Sequence, residues 1–205
     1  MTTQHRIEAG FSNPVFQSQA TFRALLSALS EPGLPCAIGV GLAPPAGLHA
    51  AAAAALLTLA DYETPVWLPP ALRDGAAGAW LRFHCGAALV ERPAEAAFSV
   101  IEAADAAPLL SAFNPGTDQF PDRSATVIVQ CADLAGGPGV SLAGPGISGS
   151  RRFAPMGLRP GFWTEVSAHA GFYPLGVDLI LSHGATVAGL PRSTQVLVLA
   201  ETETA

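Results

Sequence analysis

The chain has 205 residues, half of them hydrophobic and only 13% charged, which describes a folded globular chain and excludes a disordered one. Its formal net charge of −6 leaves no electrostatic footprint for nucleic acid or an anionic membrane. All ten basic residues are arginines, and without a lysine the chain can build neither a Schiff base to pyridoxal phosphate nor a P-loop nor a kinase-type site.

In chain order the pattern is mixed α/β. Phe22, Leu25, Leu26 and Leu29 fall on one helical face, and Pro32-Gly33 stops that helix. Residues 47–60 read as a helix apolar nearly all round, hence buried. A polar connection from Asp61 to Thr64 leads to a short buried strand at 65–68. The spacing predicts a helix over 72–80, a strand over 87–90 and a helix over 102–112. Residues 125–131 are rich in β-branched side chains and read as a central strand, with another at 140–143. A helix at 160–170 follows, then strands at 176–182, 187–190 and 195–200 that close the sheet. The expected fold is a three-layer mixed sheet with helices on both faces.

One domain is expected over residues 1–205, with its core at about 14–200, short flexible termini and roughly 70% of the unfolded surface buried. The longest apolar run, Ala50 to Ala60, is too short to span a bilayer, and Met1 to Glu8 lack a hydrophobic signal core. Cys36, Cys85 and Cys131 are far apart and form neither a C-x-x-C pair nor a disulfide framework. That usage implies a reducing cytoplasm. The histidines are scattered, with no H-x-x-x-H or H-x-H, so no metal site is expected.

Four groups of residues are candidates for chemistry. Gly144, Gly146 and Gly149 fit G-x-G-x-x-G, but Pro155 prevents the long helix that a dinucleotide fingerprint must open. The loop could still hold a phosphate beside Arg151 and Arg152, or be a tight turn with two solvated arginines. Arg82 and His84, at alternate positions of an extended segment, would face the same way and could bind an anion and shuttle a proton. The alternative is a core histidine bonded to a carbonyl. Asp178 lies in an apolar strand, where a carboxylate must be paired, and Arg192 could pair with it across the final hairpin. That pair is either structural or opens onto a cleft or subunit contact. Asp61, Glu63 and Thr64 form either a solvated cap or a site wall.

The segments Phe22–Gly33, Leu57–Leu68, Leu81–His84, Gly116–Thr117, Leu142–Ile147, Pro174–Leu181 and Pro191–Thr194 occur in an order and spacing that resemble the PhnH family, a subunit of the bacterial carbon–phosphorus lyase system. The resemblance runs from about residue 16 to 198. It implies a fold similar to pyridoxal-phosphate-dependent transferases, without the cofactor. It implies a homodimer that joins the G, I and J subunits in a core complex. With G, I and L, such a protein is required for the displacement of adenine from ATP by an alkylphosphonate, giving a ribose 1-alkylphosphonate 5-triphosphate. ATP is then a substrate of the complex, and the chain alone is expected to have no activity. The resemblance assigns no active-site residue. The rival expectations are a purely architectural subunit, or a free-standing enzyme on a phosphorylated small molecule that uses Arg82, His84 and Arg192.

Overall fold

The computed structural model describes residues 7–103 and 107–199. Helix α1 (Pro14–Ser30) starts at a proline, whose fixed φ suits the first turn, and Gln17 Oε1 accepts the Asn13 N–H at 2.8 Å. Strand β1 (Cys36–Ala37) follows, then α2 (Ala50–Leu59), β2 (Val66–Trp67), α3 (Pro70–Arg73), α4 (Ala76–Cys85) and β3 (Leu89–Val90). Next come β4 (Phe98–Glu102), β5 (Thr126–Gln130), β6 (Val140–Ala143), β7 (Arg151–Phe153), α5 (Phe162–Ala170), β8 (Asp178–His183), β9 (Thr186–Leu190) and β10 (Gln195–Val198).

Seven strands form one mixed sheet in the order β1-β9-β8-β5-β4-β2-β3. β3, β2, β4, β5 and β8 are mutually parallel, while β9 runs antiparallel to both β8 and β1. Side chains alternate across this sheet with period two. Val66, Val100, Ile128, Ile180 and Val187 point to one face, where Leu25 and Ala28 of α1, the alanines of α2, and Trp80 and Leu81 of α4 cover them. Trp67, Ile101, Val127, Val129, Leu179 and Leu181 point to the other.

That second face differs from expectation. Helix α5 covers only part of it, through Phe162, Trp163 and Val166. The rest is covered by a separate three-stranded antiparallel sheet, β10-β6-β7, which inserts Val140, Leu142, Phe153 and Val196. β10 therefore does not close the main sheet but pairs with β6 in the second one. Pro191, directly after β9, begins a turn closed by Thr194 N–H donating to the Pro191 carbonyl at 2.9 Å, and this turns β10 out of the plane.

Two further expectations are corrected. The described residues of 102–112 form no α-helix. Glu102 is the last residue of β4, and Pro108 precedes a single 3₁₀ turn at Leu110–Ala112, with 104–106 outside the described residues. On α1 the buried residues are Thr21, Leu25 and Ala28, whereas Phe22 and Leu26 are 46% and 52% exposed. Close approach decides the face. A Cβ on Gly189 of β9 would lie 2.4 Å from the Ala28 carbonyl oxygen, so α1 rests its small residues on the sheet. Gly189→Val should force α1 off the sheet and cost about 3 kcal/mol, read as a lower urea midpoint at unchanged slope. An unchanged midpoint would show that this contact is not as tight as the geometry states.

Candidate functional site

The residues that the sequence singles out separate into local, largely structural arrangements. Arg82 and His84 lie on α4 and not on a strand, so two positions apart they point to nearly opposite sides. Arg82 is exposed. His84 Nε2 lies 3.0 Å from the Glu8 carbonyl, which also accepts Trp80 Nε1 at 2.9 Å, so the ring anchors the N-terminal segment. Asp61 Oδ1 accepts the N–H groups of Glu63 and Thr64 at 2.8 and 3.1 Å and the Thr64 hydroxyl at 3.0 Å, closing its own turn.

Gly144 and Gly146 sit in the β6–β7 hairpin, and no helix follows them. A Cβ on Gly146 would lie 1.8 Å from the Ser30 carbonyl oxygen, so glycine is needed for the loop to approach the end of α1. Arg151 belongs to β7, and its Nη1 donates to the Pro32 carbonyl at 2.6 Å, bracing the same junction. Arg152, next to it, is exposed.

Asp178 and Arg192 do pair. Asp178 Oδ1 accepts the Arg192 backbone N–H at 2.9 Å and Nε at 3.2 Å, and Oδ2 accepts Nη2 at 2.5 Å. Arg192 Nη1 donates to the Pro121 carbonyl at 2.6 Å. The guanidinium is thus spent on tying the start of β8 to the loop at 121, beside a shallow cleft of about 300 Å³ that includes Tyr173 and Pro174.

Asp178 opens β8 and Asp61 precedes β2, so both lie at the amino edge of the parallel strands. Open α/β sheets bind ligands at the opposite, carboxyl edge, where successive connections leave to opposite faces. That switch occurs here between β2 and β4. After β2 the chain passes to α4 on the helical face; after β4 it passes to Leu110 and Phe113 on the other. The crevice between them, about 270 Å³, is walled by Pro69, Pro70 and Leu72 on one side and Ile101 and Pro108 on the other, over Trp67. Glu102, at the end of β4, joins it to a neighbouring cleft of about 370 Å³ bordered by Gly47, His49, Gln130 and Gly157.

The polar groups of this edge are held by the backbone. Gln130 Oε1 accepts the His49 N–H at 2.6 Å and its Nε2 donates to the Gly47 carbonyl at 2.8 Å, fixing the entry to α2. His49 Nδ1 lies 3.1 Å from the Ser182 carbonyl, and His183 Nδ1 lies 3.3 Å from the Cys131 carbonyl. A carbonyl only accepts, so each Nδ1 carries a proton, and in the neutral ring Nε2 is left as the acceptor. The two rings meet edge to face at 5.8 Å. Burial pushes the Cys131 thiol up to about 12, which removes it as a nucleophile at neutral pH. Among the described residues, no three His, Cys, Asp or Glu side chains are placed to hold a metal ion, and no helix is long and apolar enough to cross a membrane.

Burial also holds the imidazoles of His49 and His169 below the ordinary 6.5, outweighing the Ser182 carbonyl beside His49 and the Glu165 carboxylate near His169. The unfolded chain then takes up protons more readily than the folded one. Stability is fully present above pH 6.5 and falls as pH drops through the lowered values. Urea midpoints measured on either side of pH 6.5 should show this loss, and a variant carrying His49→Gln and His169→Gln should flatten it. An equal slope in the variant would assign the loss to the carboxylates.

The sequence pointed to none of Glu102, His49 and His183. A usable signal exists: Gln130 ends β5 and His183 ends β8, and the carboxyl ends of parallel strands are where an α/β sheet places its ligand site.

These features define an α/β protein with a mixed seven-stranded sheet and, at its carboxyl edge, an apolar crevice that meets a more polar cleft at Glu102. The family model described as "Bacterial phosphonate metabolism protein (PhnH)" matches residues 9–197, and the chain belongs to that family. It is 39% identical over 197 residues, 96% of this chain and 98% of the relative, to "Alpha-D-ribose 1-methylphosphonate 5-triphosphate synthase subunit PhnH" of Rhizobium meliloti (strain 1021). A Stutzerimonas stutzeri protein named for a C-P lyase subunit role, HtxG, is 40% identical over 81 residues, 40% of this chain and 42% of that one.

Proposed function

We propose that this chain is a subunit of the carbon–phosphorus lyase core complex and takes part in making a ribose 1-alkylphosphonate 5-triphosphate from ATP and an alkylphosphonate. A phosphonate oxygen bonds to the anomeric carbon of the ATP ribose, the glycosidic C–N bond breaks, and adenine leaves. The observation that carries this reading is the 39% identity over 98% of a relative whose name states that product class. The chain acts as a homodimer in the cytoplasm, joined to the G, I and J subunits and to L for the displacement. It uses neither pyridoxal phosphate nor a resident metal ion. The absence of lysine removes the Schiff base, and the mixed sheet is compatible with a transferase-like ancestry.

Deletion of the gene should abolish growth on methylphosphonate as sole phosphorus source, while growth on phosphate is kept, and the intact gene should restore it. Undiminished growth of the deletion strain on methylphosphonate would overturn the reading. Light scattering of the isolated chain should return twice the 20.9 kDa chain mass; the monomer mass at micromolar concentration would contradict the dimer.

A further inference from the structure

The switch-point crevice is unusual in what it offers. Its walls are proline, leucine and isoleucine over a tryptophan, which suits the two faces of a flat ring. Its one polar side chain is the Glu102 carboxylate, which it shares with the adjoining cleft, where His49 is the next titratable group. Among the described residues, no arginine lines either the crevice or the adjoining cleft. Acceptors without a cation select a donor-rich ligand and disfavour phosphate. Gly47 and Gly157 border the adjoining cleft, where an added Cβ would meet Leu72 at 2.4 Å and Ala132 at 2.8 Å, so glycine lets the cleft walls pack closely.

We propose that this crevice binds the nucleoside end of a nucleotide. The base lies between Pro69, Pro70 and Leu72 on one side and Ile101 and Pro108 on the other, and the ribose hydroxyls donate to Glu102 and, across the adjoining cleft, to His49 Nε2. Any phosphate chain points away from this edge, towards solvent or another subunit. The choice of adenine among the bases rests on the reaction proposed above; the preference for a nucleoside over an anion rests on the crevice alone.

Calorimetric titration of the full chain tests this, with adenosine and inorganic tripolyphosphate as separate probes. Adenosine should bind saturably with a dissociation constant below about 1 mM, and tripolyphosphate should not compete. Glu102 is exposed, so Glu102→Gln should leave the melting temperature unchanged and weaken adenosine about tenfold or more. Ala71→Trp, also at an exposed position, should fill the crevice and abolish binding. Absence of adenosine binding, binding undiminished in both variants, or displacement by tripolyphosphate would each overturn the inference. Failure here with growth on methylphosphonate intact would leave the complex assignment standing.

Discussion

Replacing Glu165 by alanine is expected to destabilise the fold by about 3–5 kcal/mol. Its carboxylate makes two bonds that nothing else supplies: one oxygen accepts the Leu110 N–H, and the other pairs with the Arg159 guanidinium. Both side chains are nearly dry, 17% and 12% exposed. Without Glu165, a buried guanidinium whose Nε already lacks a partner loses its counter-charge, and the Leu110 N–H is orphaned. The loss also loosens the connection after β4, since Arg159 donates its backbone N–H to Ala103 at 2.7 Å. Glu165→Gln keeps an acceptor and should cost less. Urea denaturation of the two variants measures both effects, and a loss under about 1 kcal/mol for the alanine variant would mean that water replaces the carboxylate.

The Asp178–Arg192 clamp should give the second largest effect, about 2–4 kcal/mol for either Asp178→Asn or Arg192→Gln. The figure is set below that of the first pair because the carboxylate is 24% exposed and the guanidinium 15%, so solvent partly screens the charge left behind. The double variant should cost less than the sum by about 1–2 kcal/mol, because the two share one set of bonds. Additive losses would show that the backbone N–H of Arg192 and the Pro121 carbonyl carry the clamp alone. Retained stability with lost growth on methylphosphonate would instead place the pair at a subunit contact beside the cleft at Tyr173 and Pro174.

The legible part of the fold is the part written in contiguous residues. The run Thr126–Gln130 is β-branched and apolar on both faces, as a parallel central strand requires, and Asp178–His183 reads the same way. The need of Asp178 for a partner followed from the cost of a bare carboxylate, and Arg192 was the cation that the last hairpin brought back. What stayed hidden depends on pairings between distant segments. β4 is not legible because Glu102 and the alanine after it suggest a helix, while Phe98–Glu102 is held extended by its ladders to β5 and β2. The second sheet was hidden for the same reason: nothing local says that β10 pairs with β6 rather than with β9. The carboxyl-edge cleft needs β4, β5, β8 and the start of α2 together, so His49, Glu102 and His183 meet only in the fold. Of the candidate residues, Asp61 closes its own turn, Asp178 and Arg192 pair, Arg151 braces the end of α1 and His84 holds the N-terminal segment, while Arg82 is exposed.

The central claim is that this family member works inside a multi-subunit synthase. It is tested most directly by affinity purification of the full chain, tagged at its own chromosomal locus, from cells grown on methylphosphonate. The G, I and J subunits should co-elute in fixed ratio with two copies of this chain, and that eluate should release adenine from ATP in the presence of methylphosphonate and the L subunit. Elution of this chain alone, with full growth on methylphosphonate, would contradict it.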